Sequence, residues 1–239
     1  MKKNDLLIIE ITESRLKILK AKYFADKALQ VLGLEAFNIE NASRDNIAKL
    51  LSSSVLAKDK KAQVIAVVSR SQVILKNFSL PSRSKEELQK MITLQMATQV
   101  PYAREDIVFD YVSLGQDTAG YTKILSAVVH KEVIDEFFKV FKSAAMTIDR
   151  FVLSSSSIVR WFNQNFPESL KGEKSVVGVL NLESNTSELC FVQAGQLAYS
   201  REIKYGLRDL GGDFEDAFFK DIVVTLEAYT REHAPQAVE

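Results

Sequence analysis

Cysteine is almost absent from these 239 residues. Cys190 stands alone, so no internal disulfide framework can form, and the chain suits a reducing compartment. Histidine is nearly as scarce. His130 and His233 lie far apart, and neither has metal-ligand spacing with the other or with Cys190. No charge of either sign prevails, since 31 Lys and Arg face 31 Asp and Glu. The overall balance therefore gives no electrostatic case for nucleic acid or for a membrane surface. Long apolar runs are missing too. None reaches the roughly 18 residues that cross a bilayer. The first one, Leu6 to Ile9, is stopped by Glu10 and is too short for the core of a signal peptide. The expectation is a cytosolic protein that meets membranes only through its partners.

What is present is ordinary globular material, 46% hydrophobic and 26% charged, with length enough for one large domain or two small ones. Leu6 to Ile11 is β-rich. Thr12 to Ser14 make a polar turn, a second strand begins at Leu16 and a third runs from about Leu29 to Ile39. Three strands on short turns read as an antiparallel meander. Ser43 caps a helix carrying Ile47, Leu50, Leu51 and Val55 at spacings of three and four, and Val64 to Val68 is a buried strand.

The pattern then changes. Val73 to Leu80 is a strand stopped by Pro81, and Ser84 with Glu87 forms a capping box for a helix with Leu88, Met91, Ile92 and Met96. Strands at Phe109 to Leu114 and Tyr121 to Val129 precede a helix with Val133, Ile134, Phe137, Phe138 and Phe141. Next the opening form recurs: a strand from Val176 to Leu182, a polar turn, a strand through Leu189 to Val192, a third ending near Lys204, and a helix with Phe214, Phe218, Ile222 and Leu226. Strand–turn–strand–strand–helix thus occurs twice, from residues 6 and 176. A duplicated α/β unit with an insertion in its first copy is the organisation of an actin-like (ribonuclease H-like) fold. The expected division is 1–72 for the first half of the core, 73–145 for the inserted α/β subdomain, and 146–239 for a shortened second half.

Actin-like ATPases grip phosphate with the two strand-to-strand turns, each carrying acid-x-Gly. The acid serves metal or water, and the glycine lets a backbone amide approach the phosphate. Here those turns read Glu10-Ile11-Thr12 and Asn181-Leu182-Glu183. Both glycines are gone, an amide replaces the second acid, and a carboxylate stands where phosphate would come. Like charges repel there. The turns read as degenerate, and no cofactor or metal is expected. Cys190 sits between Leu189 and Phe191 as a small apolar group. Ser154 to Ser157 suits helix capping better than nucleophilic chemistry. Gly211-Gly212 reads as a turn.

Four stretches give a family resemblance: Leu7-Ile8-Ile9-Glu10-Ile11 with Ser14 and Lys17; Gln99-Val100-Pro101-Tyr102 with Glu105 and Phe109-Asp110-Tyr111; Ala127 to Ile134; and Gln196 to Ile203. Through them the chain resembles the PilM family, the cytoplasmic actin-like proteins of type IV pilus machines. More distantly it is similar to the cytoplasmic part of GspL from type II secretion. The stretch after Gly206 is short for that family, so the second half is expected to be incomplete, by nature or because the sequence is a portion of a longer protein.

The resemblance implies a non-catalytic adaptor at the inner face of the inner membrane. It would receive the extended N-terminal peptide of a PilN-like membrane protein in a groove between first half and insertion, and link it to the assembly ATPase. Such recognition uses main-chain pairing and pockets. Within the helix after Ser84, Gln95 interrupts an apolar stripe, so Met91, Gln95 and Gln99 are the expected partner-binding residues. The alternatives are an actin-like ATP-binding protein or ATPase, and a cell-division protein resembling FtsA. The first would need both acid–glycine pairs. The second would carry an amphipathic membrane helix, which Arg231 to Pro235 does not form.

Overall fold

The computed structural model describes residues 5–24, 29–59, 61–117, 119–170 and 176–233. The tail Ala234 to Gln236, expected to fray, lies outside the described residues. The chain divides into two units, residues 1–154 and 155–239.

The first unit is built on a five-stranded sheet of order β3-β2-β1-β4-β8. β1 (Asp5–Ile11) pairs antiparallel with β2 (Arg15–Tyr23), and β2 with β3 (Leu29–Asn38). β4 (Gln63–Val68) lies parallel to β1, and β8 (Arg150–Leu153) parallel to β4. Period-two alternation sends Leu7, Ile9, Leu16 and Ile18 to one face, where each is fully buried. Helices α1 (Arg44–Ser53) and α3 (Lys131–Ser143) cover that face with Leu51, Phe137, Val140 and Phe141. Ser43 caps α1 by accepting from the Asn46 amide at 3.3 Å, a contact worth about 1 kcal/mol.

Between β4 and β8 the chain makes a lobe with its own sheet, order β5-β7-β6. β5 (Val73–Leu80), β6 (Ile107–Gln116) and β7 (Thr122–His130) pair antiparallel, and α2 (Lys85–Gln99) packs on one face. That face carries Ile74, Phe78, Ile107, Phe109, Ile124 and Val128 against Leu88, Ile92 and Met96 of the helix. The residues between them in sequence, Val73, Leu75, Ala127 and Val129, face the other way and join the core under the five-stranded sheet. The lobe sheet is therefore a partition, with α2 on one side and the first-half core on the other.

The second unit holds α4 (Ser154–Asn165), the sheet β11-β10-β9 and α5 (Glu215–His233). β9 (Val176–Leu182), β10 (Ser187–Gln193) and β11 (Gln196–Ile203) form an antiparallel meander like β1-β2-β3.

Three expectations are corrected. Arg150–Leu153, assigned from sequence to the second half, is a strand of the first sheet; four residues are too few to show a period, and only pairing with β4 identifies it. Ser154 to Ser157 form the first turn of α4 itself rather than its cap, and Ser155 is fully buried. In α5 the stripe Phe214, Phe218, Ile222, Leu226 does not hold. Phe218, Ile222 and Tyr229 pack on the sheet, whereas Phe214 and Leu226 are 57% and 45% exposed. A strict spacing of four drifts by about 40° per step on a helix of 3.6 residues per turn, so the buried line moves to Thr225 and Tyr229.

Candidate functional site

The first candidate turn closes the β1–β2 hairpin. The Thr12 amide donates to the Arg15 carbonyl at 2.8 Å, and the Arg15 amide donates to the Thr12 hydroxyl at 3.0 Å. The amide that the acid-x-Gly pattern would offer to phosphate is therefore held within the turn. Glu10 and Lys17 are directly opposed on β1 and β2 and form an ion pair at 2.8 Å. Both are partly exposed, so the pair contributes only about 0–1 kcal/mol. Its effect is to turn the Glu10 carboxylate onto a cation of the neighbouring strand.

The second turn, in the other unit, joins β9 to β10. The Glu183 amide donates to the Thr186 carbonyl at 3.0 Å. The Glu183 and Ser184 carbonyls accept from the Leu207 and Arg208 amides at 2.8 and 3.1 Å. The segment after β11 thus lies directly on the turn, and Gly206 is what permits it. A methyl there would stand 2.5 Å from the Glu183 carbonyl oxygen. Asp209 holds the approach by accepting from the Gly206 amide at 2.8 Å. Asn181, next to last in β9, lies opposite Glu188 of β10. The Asn185 side-chain oxygen is buried and has no hydrogen-bond partner among the described residues.

Sequence reasoning missed the polar cluster beside this turn. Ser155, fully buried, hydrogen-bonds the Glu188 carboxylate and lies 2.9 Å from the Ser200 hydroxyl. The Cys190 thiol donates to the same carboxylate at 3.5 Å. Nothing local announces a cluster whose members are 33 and 45 residues apart. His130 ends β7 and caps α3, its Nδ1 accepting from the Glu132 amide at 3.4 Å. The Gly211 amide donates to the Glu215 carboxylate at 2.9 Å, so that turn is filled by the chain's own acid. Among the described residues no group of three or more His, Cys, Asp or Glu is disposed to hold a metal ion. No described helix is long and apolar enough to cross a membrane.

Met91, Gln95 and Gln99 all lie on α2. Met91 packs into the lobe's own core, Gln95 is half-buried, and Gln99 is exposed in the last turn. Because α2 covers the sheet face that points away from the first-half core, these residues do not line the junction of lobe and first half. Spacing along one helix cannot say which side of a sheet the helix will take. On the opposite face, at the β6 edge, Val108 and Val112 are 44% and 54% exposed. They sit across from Val129 and Leu125 of β7, on the side that joins the core. The alternation Val108, Asp110, Val112 was readable in the sequence. Which face it belonged to was not.

The family model described as "Type IV pilus assembly protein PilM" matches residues 3–231. Among solved structures, a PilM–PilN type IV pilus biogenesis complex is similar with a TM-score of 0.69 at 16% identity, over 95% of this chain and 68% of that one. The cytoplasmic domain of EpsL, an inner-membrane component of the type II secretion system of Vibrio cholerae, gives 0.55 at 11% identity, over 84% and 71%. A Bacteroides thetaiotaomicron protein with an actin-like ATPase fold and unknown function gives 0.55 at 14%, over 95% and 77%. At these identities the likeness is one of fold, and the fold is actin-like. No curated protein sequence matches the chain.

Proposed function

The chain belongs to the PilM family of type IV pilus assembly proteins, and we propose that it works there as a non-catalytic scaffold on the cytoplasmic face of the inner membrane. It binds the extended N-terminal segment of a PilN-like membrane protein and connects that protein to the assembly ATPase. The family match over residues 3–231 carries this reading, and the likeness in fold to a PilM–PilN complex supports a partner of the PilN type. The degenerate turns support a role without catalysis. At each, the amide of the former glycine position donates within the turn, and Glu10 is paired with Lys17.

The peptide site in this reading is the β6 edge. Among the described residues β6 pairs only with β7 in its sheet, so its outer main chain can take an extended strand. Val108 and Val112 offer side-chain contacts beside it. The test begins with affinity capture from detergent-solubilised inner membranes. The N-terminal peptide of the retained membrane protein is then synthesised and titrated. The variant V108K/V112K should weaken binding at least tenfold, and Gln95→Glu on α2 should leave it unchanged. Retention of no protein with a short N-terminal cytoplasmic segment refutes the function. Equal binding to V108K/V112K refutes the site alone.

A further inference from the structure

In both copies of the duplicated unit the third strand of the meander is outermost in its sheet, β3 beyond β2 and β11 beyond β10. The open side of β3 therefore belongs to the fold itself, since the chain leaves that strand directly for α1. β3 is ten residues long, and Leu29, Val31, Leu32 and Leu34 along it are exposed. A long apolar edge of this kind invites pairing with another chain.

The one charge in β3 is Glu35, and it is turned inward. It lies opposite Ile18, and Phe37 lies opposite Leu16, on the face that α1 covers. There Glu35, Ala36 and Phe37 of the strand and Ser53, Ser54 and Val55 at the end of α1 line a groove of about 420 Å³. One carboxylate oxygen of Glu35 is buried and has no hydrogen-bond partner among the described residues. Neighbouring groups are engaged elsewhere. The Ser53 hydroxyl donates to the Leu50 carbonyl at 3.0 Å, and the Ser54 hydroxyl accepts from the Ala57 amide at 3.1 Å. Lys20, opposite Gly33 two residues along β3, pairs with Asp59 at 2.8 Å. A buried carboxylate oxygen without a donor is costly, so the groove calls for a cation. The end of α1 calls for the same, because it carries the negative end of the helix dipole and has no basic residue in its last turn. The walls choose among cations. Ala36, Phe37 and Val55 are apolar, which suits a charge carried on a hydrocarbon stem.

We infer that the β3 edge receives an extended segment of a partner protein, which sets a lysine or arginine side chain in this groove against Glu35. An inward charge on an edge strand turns neutral strands away. An opposite charge directly across from it is favourable. Glu35 thus makes the edge selective for a basic strand. The site lies on the five-stranded sheet, and either it or the β6 site can fail without the other.

The probe is a fluorescently labelled synthetic strand, acetyl-Thr-Val-Thr-Lys-Thr-Val-Thr-amide, titrated with the full chain by anisotropy. Norleucine in place of the lysine keeps the stem and removes the charge, and should weaken binding at least tenfold. Glu35→Gln should remove that preference and melt no lower than wild type, because the oxygen it replaces has no partner to lose. Glu35→Lys should prefer a peptide with glutamate at its centre; if that variant does not fold, the glutamine variant and the norleucine peptide decide. V108K/V112K should bind the lysine peptide as wild type does, and hydrogen exchange should place the protection at residues 29–38. The inference is overturned by no binding at millimolar lysine peptide, by equal binding of the norleucine peptide, or by an undiminished lysine preference in Glu35→Gln. Loss of binding in V108K/V112K overturns it by placing the peptide on β6. A Glu35→Gln protein that melts several degrees lower overturns it by showing that the carboxylate serves the fold. A dimer that Glu35→Lys converts to monomer in sedimentation does so by giving the edge to a second copy.

Discussion

Replacing Gly206 with alanine tests how tightly the segment after β11 is packed on the second turn. The backbone there is extended, φ −138° and ψ −162°, so alanine meets no dihedral penalty. The cost is purely one of space. The new methyl would lie 2.5 Å from the Glu183 oxygen, 2.7 Å from the Ser184 carbonyl carbon and 2.8 Å from that of Asn185. These are main-chain atoms of three consecutive residues, and none can rotate away. Overpacking typically costs about 1–3 kcal/mol, and a rigid wall puts this case at the upper end, ~3 kcal/mol. Relief requires the Leu207 and Arg208 amides to leave the Glu183 and Ser184 carbonyls. For a chain of this length ~3 kcal/mol is a fall in Tm of about 6–12 °C. Two other glycines calibrate the experiment. At Gly33 the methyl meets the end of the Leu56 side chain at 2.8 Å, which can swing aside. At Gly178 the nearest atom is 3.7 Å away, an ordinary contact. Thermal melts should rank Gly206→Ala well below Gly33→Ala, with Gly178→Ala near wild type. Hydrogen exchange should locate the Gly206→Ala damage at residues 183–186 and 206–209. A Gly206→Ala protein that melts within about 0.5 kcal/mol of wild type, the ordinary range for surface changes, would refute the close approach.

Titration calorimetry with ATP and magnesium should detect no binding; a Kd below about 100 μM, roughly 5.5 kcal/mol, would show the degenerate turns to be competent. Asp59 has its pKa lowered, first by the hydrogen bond from Lys20 and then by the Lys61 amide. A lowered carboxylate contributes stability above the ordinary aspartate range, about pH 4, and loses it as pH falls through the folded value. Asp59→Asn should therefore flatten the acid side of the stability–pH curve and leave its alkaline side alone, and an unchanged acid slope in urea melts would contradict the pairing. Phe218→Ala, at a position only 2% exposed, should cost about 3–5 kcal/mol. Leu226→Ala, on the exposed side of α5, should change stability by less than about 0.5 kcal/mol; denaturant melts giving equal losses would restore the four-spaced stripe.

Local pattern alone revealed the repeat. The β-rich apolar run Leu6 to Ile11, the turn residues after it, and the cap signals at Ser43 and Ser84 act over a few residues, so β1–β3, α1 and α2 were legible with ends displaced by only a residue or two. The missing glycines at Thr12 and Glu183 were visible for the same reason, since backbone approach is a property of single positions. Whatever depends on which surface meets which was decided by tertiary structure. β8 became a strand because β4 offered an edge. Thr225 displaced Leu226 because a straight helix has 3.6 residues per turn. Gly206 matters because a segment from beyond β11 folds back onto Glu183 to Asn185. That Met91, Gln95 and Gln99 lie away from the junction of lobe and first half was not legible either, because a sheet has two faces, and a helix sequence is equally compatible with either. Only the alternate burial of Ile74 and Leu75, one under α2 and one in the first-half core, settles which face α2 covers.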